Sequence, residues 1–346
     1  MAGVTAKQIA QQLGISQAAV SIVLNGRPGV SDETRRLVLE TADRLGYNPA
    51  RITAVRERSR RLCFIFYVNQ LVSIAENTTF SSFVLQGAEA AASRLGYSIF
   101  VRYFHAGEPF VEQASELVGS SDGIILLGTD ITDDCRDEVA RFLERFSSMP
   151  VVIIDAEDSF GVADCVINDN YGGALQAVEY LISRGCSRIG YIRSGHRIST
   201  FLKREAGLKD ALRKHGLSVD TVIDTEVSFD EAYNRIDQYL SHVHDLPDAF
   251  FAENDVIAAA AIRAFNAHGI AVPDRISIIG FDDIPVCDLT APSLSTVHSY
   301  KEQLGEAAVN ILSDKFPLYA DGANRTPRGC MCVSISTDLH IRASVK

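Results

Sequence analysis

From Leu62 onward the chain alternates short apolar runs with helix-length amphipathic stretches, and it does so in two series. Leu62–Tyr67, Ser98–Tyr103, Gly123–Leu127 and Val151–Asp155 read as strands, with the helical patterns Phe80–Leu95 and Asp134–Arg145 between them. The second series is helix Asn170–Arg184, strand Arg188–Ile192, helices Thr200–His215 and Asp230–Leu240, strand Ala249–Ala252, helix Asp255–His268 and strand Ser277–Phe281. Such alternation demands parallel sheets flanked by helices, because each parallel strand needs a crossover that covers a sheet face. Two series imply two lobes.

The apolar runs, such as Ile124–Leu127 and Val151–Ile154, have the length of buried strands and fall far short of a membrane span. With 346 residues, 47% of them hydrophobic, the chain can fill more than one core. Residues Met1–Ala10 lack the basic-then-apolar pattern of a secretion signal, so a cytoplasmic location without membrane attachment is expected. The seven cysteines show no paired metal spacing, and Cys330 and Cys332 stand too close for a zinc hairpin. Reduced thiols, no metal and no cofactor are expected.

The first fifty residues follow a different rule. Thr5, with Gln8 three residues on, has the pattern of a capping box, and Ile9, Ala10 and Leu13 then share one helical face. Gly14 stops that helix and Ser16 can cap a second one, Gln17–Leu24, with Val20, Val23 and Leu24 facing inward. A third helix after Ser31 presents Leu37, Val38, Ala42 and Leu45, and ends at Gly46. Two short helices joined by a Gly-containing turn fit a helix-turn-helix, whose second helix enters the major groove. Its outward residues are Gln17, Ala18, Ser21, Ile22 and Asn25. Gln can read an adenine edge, Ala and Ile can touch a thymine methyl, and Ser21 and Asn25 can hold phosphates. A plain three-helix packing module is the alternative at this point.

Charge is distributed accordingly. The chain carries −11, yet residues 1–61 hold ten Lys and Arg against five Asp and Glu, so a +5 head stands on a −16 body. That is expected if only the head meets phosphate.

The run Val4-Thr5-Ala6-Lys7-Gln8-Ile9-Ala10, followed by Gly14-Ile15-Ser16, Val20-Ser21, Val23-Leu24-Asn25, Val30-Ser31, Thr34-Arg35 and Leu45-Gly46-Tyr47-Asn48-Pro49, resembles the head of the lactose/galactose-repressor (LacI/GalR) family. The family's usual Thr before Val-Ser and Arg after it are replaced by Ala19 and Ile22, so the operator sequence should differ from those of better-known members. The body resembles the same family, and periplasmic sugar-binding proteins more distantly. Gly87, Leu95-Gly96-Tyr97, Asp122-Gly123-Ile124-Ile125, Pro150–Asp155, Asp169-Asn170, Arg204…Gly207, Asn254-Asp255, Gly280-Phe281-Asp282 and Leu304-Gly305 stand in the family's order.

This resemblance implies a helix-turn-helix domain at 1–49, a hinge at 50–61 and a two-lobed body at 62–346. The N-lobe is expected at about 62–157 plus 292–325, and the C-lobe at about 158–289 plus 328–346. In open parallel sheets, ligands bind beyond the carboxyl ends of strands, where Asp155, Asn254 and Asp282 fall. The resemblance adds Arg204 as a further polar ligand-binding residue and Phe80 as a pocket wall. Carboxylates, an amide and a guanidinium suit the vicinal hydroxyls of a sugar. The expected DNA-facing set is Thr5, Ser16, Gln17, Ala18, Ser21, Ile22 and Asn25, with Val55 and Arg56 in the hinge, where Arg56 replaces the family's minor-groove leucine.

Three function classes compete. An enzyme is disfavoured, because no phosphate-cradling Gly loop, Gly-x-Ser-x-Gly or His-Glu-x-x-His is present. An exported sugar-binding protein would need a signal and no helix-turn-helix. A homodimeric repressor that binds operator DNA, controlled by a small effector, expected to be a carbohydrate, explains head, hinge and body together.

Overall fold

A computed structural model describes residues 6–24, 30–45, 60–69, 79–108, 110–118, 120–156, 161–320 and 329–346. By its internal contacts the chain separates into two units, residues 1–60 and 61–346.

In the first unit, α1 (Ala6–Leu13), α2 (Gln17–Leu24) and α3 (Asp32–Arg44) close around Ile9, Ala10, Val20, Val23, Leu24, Val38 and Ala42. Gly14 adopts φ +65° and lets the amide of Ile15 reach back to the Ala10 carbonyl at 3.2 Å, which turns the chain between α1 and α2. Ser16 Oγ accepts from the amide of Ala19 at 3.1 Å, and Ser31 Oγ from that of Thr34 at 3.2 Å. Both hydroxyls thereby satisfy amides that have no helical partner. One expected core position is corrected: Leu37 is 41% exposed, because Val38, Ala42 and Leu45, at i, i+4 and i+7, define the inner stripe.

The second unit holds two six-stranded sheets. The first has the order β11-β5-β4-β3-β1-β2 and is parallel throughout, built from β1 (Arg61–Val68), β2 (Ser98–His105), β3 (Gly123–Leu127), β4 (Val151–Ile154), β5 (Asp164–Asn168) and β11 (Cys332–Ile335). The second has the order β12-β10-β9-β8-β6-β7, from β6 (Ile189–Ser194), β7 (Val219–Thr225), β8 (Ala249–Ala252), β9 (Ser277–Asp282), β10 (Ser295–His298) and β12 (Asp338–His340). Only the β10–β12 pairing in it is antiparallel.

Strand β1 shows why these runs are apolar throughout. Leu62, Phe64, Phe66 and Val68 face one core, and Cys63, Ile65 and Tyr67 the other. Both faces of the sheet are covered, so neither set can be polar. Helices α4 (Phe80–Arg94) and α12 (Lys301–Ala320) cover the first face; α5 (Phe110–Val118) and α6 (Arg136–Arg145) lie on the second. In the other lobe, α7 (Asn170–Ser183) and α8 (Ser199–Lys214) cover one face, and α9 (Phe229–Leu240) and α10 (Asp255–Ala267) the other.

The sheets correct the expected lobe boundaries. Strand β5 belongs to the first lobe, so that lobe continues to Asn168, past the expected 157. Strand β10 lies in the second lobe although residues from 292 were assigned to the first, and β11 lies in the first although residues from 328 were assigned to the second. The reason is that the chain crosses between sheets three times, near 168–170, 298–301 and 335–338, with each new strand adding to a sheet edge or interior already laid down. The parallel register of β5 and β11 sets Cys165 directly beside Cys332, and the two are joined in a disulfide, so the expectation that all thiols are free is also corrected.

Candidate functional site

Strand ends from both sheets converge on a narrow cleft lined by Phe80, Thr129 and Asp155 from the first lobe and Ile198, Thr200, Phe201, Arg204, Asn254 and Asp282 from the second. All five residues expected to bind an effector line this single space. Asp155 directly follows β4, Asp282 ends β9, and Asn254 lies just past β8. Asp155 and Asp282 hold φ values of 62° and 107°, a region that most side chains avoid and that aims their carboxylates away from the strand direction.

Arg204 is the hub. Its Nε donates to Asn170 Oδ1 at 2.8 Å, one Nη to the Glu253 carbonyl at 2.7 Å, and the other to Asp282 Oδ1 at 2.8 Å. The guanidinium lies over the Phe281 ring, 3.7 Å from its centroid. Glu253, wholly buried, is held in turn by Arg197 at 2.6 Å, the amide of Ser194 at 2.6 Å and the Tyr191 hydroxyl. Lys301, also buried, donates to the carbonyls of Asp282 at 2.5 Å, Ser299 at 3.0 Å and Asp283 at 3.1 Å, which ties the turn after β9 to the crossover into α12.

Two polar atoms in this cleft stay open among the described residues. Asp155 Oδ2 accepts from Thr129 Oγ1 at 2.8 Å, but Oδ1 has no partner. Asn254 Oδ1 caps α10 through the amide of Ile257 at 2.9 Å, but Nδ2 has none. Burial pushes the Asp155 carboxyl up to about 7, against the opposing pull of Arg204 and the Thr129 hydroxyl. Burial likewise raises Asp282, although Arg204 lowers it. The site therefore offers one unpaired acceptor and one unpaired donor between aromatic walls.

Sequence reasoning missed Thr129, Ile198, Thr200 and Phe201. Thr129 lies past the end of β3, where the strand-end rule would have found it. Thr200 and Phe201 stand one turn before Arg204 on α8, so helical spacing would have found them. In the head, Ser16, Gln17, Ala18 and Ser21 are exposed and Ile22 is half-buried; Ser16 is committed to capping α2. Thr5, Asn25, Val55 and Arg56 lie outside the described residues.

Residues 5–50 match the family of bacterial regulatory proteins of the lacI type, and residues 178–345 match the periplasmic binding protein-like domain. The chain belongs to the LacI family. LacI-family relatives span it end to end: the "HTH-type transcriptional repressor PurR" of Mannheimia succiniciproducens is 29% identical over 346 residues, covering 99% of this chain and 98% of that protein, and its Pasteurella multocida counterpart is equally similar. A cellobiose complex of the transcriptional regulator CelR superposes with a TM-score of 0.70 at 24% identity, and a lac repressor dimer bound to operator and an anti-inducer with 0.69 at 23%, each covering 99% of both chains. These structures establish the fold: a helical N-terminal region followed by an α/β body with parallel-dominated sheets. The protein is a DNA-binding transcriptional regulator of the LacI family and not an enzyme.

Proposed function

We propose that this LacI-family regulator is a cytoplasmic homodimeric repressor whose affinity for a two-fold symmetric operator is set by a small neutral effector held in the cleft. The relatives named as repressors support the direction of control. The observation that carries the effector reading is the pair of open atoms, Asp155 Oδ1 and Asn254 Nδ2, in a buried cleft walled by Phe80 and Phe201. A buried polar atom without a partner costs about 1–3 kcal/mol, and a ligand that supplies the missing partner recovers that cost on binding.

The chemistry narrows the class. Asp282 lies close enough to raise both Asp155 and Asp255, while the guanidinium of Arg204 is already shared among three acceptors. Arg204 is the one cation among the described residues lining the cleft, and with its donors committed a phosphate would lack a free counter-charge there, which disfavours sugar phosphates. A monosaccharide hydroxyl can donate to Asp155 while another accepts from Asn254. A planar nitrogen base offers the same donor–acceptor complement and would stack between the phenyl rings, which makes a nucleobase the second reading. Coupling of cleft to head then amounts to a free energy of typically about 1–3 kcal/mol.

The test is a thermal-shift screen of monosaccharides, sugar phosphates and nucleobases against the native chain and Asn254→Ser. Serine retains the cap on α10 but lacks the free amide donor. A compound that raises Tm of the native chain, loses that effect in Asn254→Ser and alters operator affinity supports the reading. If every active compound acts equally on both proteins, the cleft is not the effector site.

A further inference from the structure

At the β12 side of the second sheet, three side chains that are not among those lining the cleft aim at one point from the ends of three strands. His298 ends β10, His340 ends β12 and Asp283 follows β9. His298 Nδ1 lies 2.7 Å, and His340 Nδ1 2.8 Å, from the same carboxylate oxygen, Asp283 Oδ2. We infer that Asp283, His298 and His340 form a binding site for a divalent transition-metal ion of the zinc class.

Register explains how the residues meet. In the antiparallel pairing Thr296 stands opposite His340, so His298, two residues further on, is its diagonal neighbour on the same sheet face. The two rings stack with centroids 4.5 Å apart and an interplanar angle of 19°. In the parallel pairing of β9 with β10, His298 lies beside Asp282, so the next residue, Asp283, turns over the ring. Asp283 adopts φ 54°, a conformation Asp tolerates better than most residues and one that fixes where its carboxylate points.

The donor set is that of a transition-metal site. Two imidazole nitrogens and a carboxylate oxygen, all within 4.8 Å of one another, supply three of the four positions of a tetrahedral ion. At metal–ligand distances of about 2.0–2.1 Å, neighbouring ligand atoms stand roughly 3.3 Å apart, so each imidazole nitrogen has to draw back from the carboxylate oxygen by only about half an ångström. The outer contacts orient the ligands as metal sites require. The other carboxylate oxygen, Asp283 Oδ1, is held by Arg342 at 2.9 Å. Tyr300 stacks edge-on against His298 and hydrogen-bonds Asp338, so the ring has little freedom to swing away. His340 is 43% exposed, which leaves the fourth position open to water. Nitrogen and oxygen donors of this kind favour zinc, nickel and cobalt over magnesium or calcium.

The spacing hides the site from sequence. The three residues are separated by 15 and 42 positions and share no short motif, so a scan for paired ligands finds nothing. The site also spans two of the crossovers between the sheets: His298 opens the crossover to α12, and β12 begins where the third crossover ends.

The full-length chain, stripped with a chelator and dialysed, is titrated calorimetrically with zinc chloride alone, in parallel with His340→Gln, His298→Gln and Cys330→Ser. The expected result is one zinc per chain for the native protein and for Cys330→Ser, with affinity reduced at least about tenfold in each histidine variant, since loss of even an outer contact weakens metal sites by about that much. Cobalt in place of zinc should give a visible spectrum of nitrogen and oxygen ligation that vanishes in His340→Gln. No zinc uptake at 100 µM, a level chosen about two orders of magnitude above micromolar protein, would overturn the proposal. Unchanged binding in both histidine variants, or loss of binding in Cys330→Ser, would overturn it as well. Circular dichroism of His340→Gln, whose side chain is partly exposed, checks that the fold is retained.

Discussion

Arg204 and Asp282 face each other at 2.8 Å in the cleft between the lobes, and both are almost completely buried. This pair does not wait for a ligand: every one of the three directions in which Arg204 donates already ends on a protein acceptor. Removing the guanidinium leaves Asp282, Asn170 and the Glu253 carbonyl without a donor. Breaking one partner of a buried ion pair typically costs about 3–5 kcal/mol. Arg204→Met should therefore lower the stability of the body by several kcal/mol in chemical denaturation, well before any effector is added. A variant as stable as the native chain would mean that Arg204 is reserved for ligand, as its place in the family motif alone suggests.

Asp155 makes stability depend on pH in a definite direction. Its folded carboxyl titrates near 7, above its ordinary value of 3.8, so between those values the folded state holds a proton the unfolded state has lost. Stability is then fully present at low pH and declines as pH rises toward 7, by at most on the order of 4 kcal/mol for this one group. Asp155→Asn removes the titration while keeping a residue that tolerates φ 62°. The Tm difference between variant and native should be more favourable to the variant at pH 8 than at pH 5. A difference that does not change with pH would show that Asp155 stays ionised throughout.

The same carboxyl tells an effector's hydrogen-bond sense. A ligand hydroxyl that donates to Asp155 Oδ1 stabilises the ionised form, so effector affinity should rise as pH increases from 6 to 8, a range chosen to straddle the titration near 7. A ligand that accepts from the protonated acid would show the opposite trend. Isothermal titration across that range, at constant ionic strength, separates the two, and a flat profile would remove Asp155 from the ligand contacts.

The strand ends of this fold were legible because their chemistry breaks the local pattern: Asp155 directly follows a buried strand run, Asp282 ends one, and Asn254 stands two residues past one. The lobe boundaries were not, because β5, β10 and β11 are short and nothing in their sequences marks which of the two sheets each joins. Asp164–Asn168 contains Asp, Cys and Asn, and Ser295–His298 contains Ser, Thr and His, so neither reads as a buried strand, although burial of both is set by neighbours far along the chain. The Cys165–Cys332 pairing was hidden for the same reason, since only the β5–β11 register brings the two together. Lys301 was invisible as a cleft element because its role lies in three backbone carbonyls, which a sequence does not mark.

Helices α4 and α12 approach so closely that glycine is required on both. A Cβ at Gly87 would strike the carbonyl of Glu302, and one at Gly305 that of Val84. These obstacles are backbone atoms and cannot swing aside. Gly305→Ala gains up to about 1 kcal/mol of helix propensity but forces the helices apart, and overpacking of this kind costs typically about 1–3 kcal/mol. The net expectation is a Tm lowered by a few degrees. An unchanged or raised Tm would mean that the helices separate without loss, and that the close approach is not needed for the packing of Val84, Ala88, Leu304 and Ala308.

The head offers a test in which capping and base reading are separable. Ser16 and Gln17 are adjacent and both exposed, yet only Ser16 is committed to the helix, through the amide of Ala19. Ser16→Ala should cost about 1 kcal/mol of helix stability and weaken binding to every duplex by a similar factor, because a frayed α2 presents all its contacts less often. Gln17→Ala leaves the cap intact. If Gln17 reads a base edge, its loss should cost about 1–3 kcal/mol on the preferred operator and much less on a duplex altered at the contacted base pair. Both variants should keep the same steep decline of affinity with salt, since neither removes a charge from the +5 head. Fluorescence anisotropy with full-length protein, matched and mismatched duplexes and two salt concentrations measures all of these. Uniform weakening by Gln17→Ala across all duplexes would assign that residue to backbone contact, and an affinity insensitive to salt would remove the electrostatic account of the head.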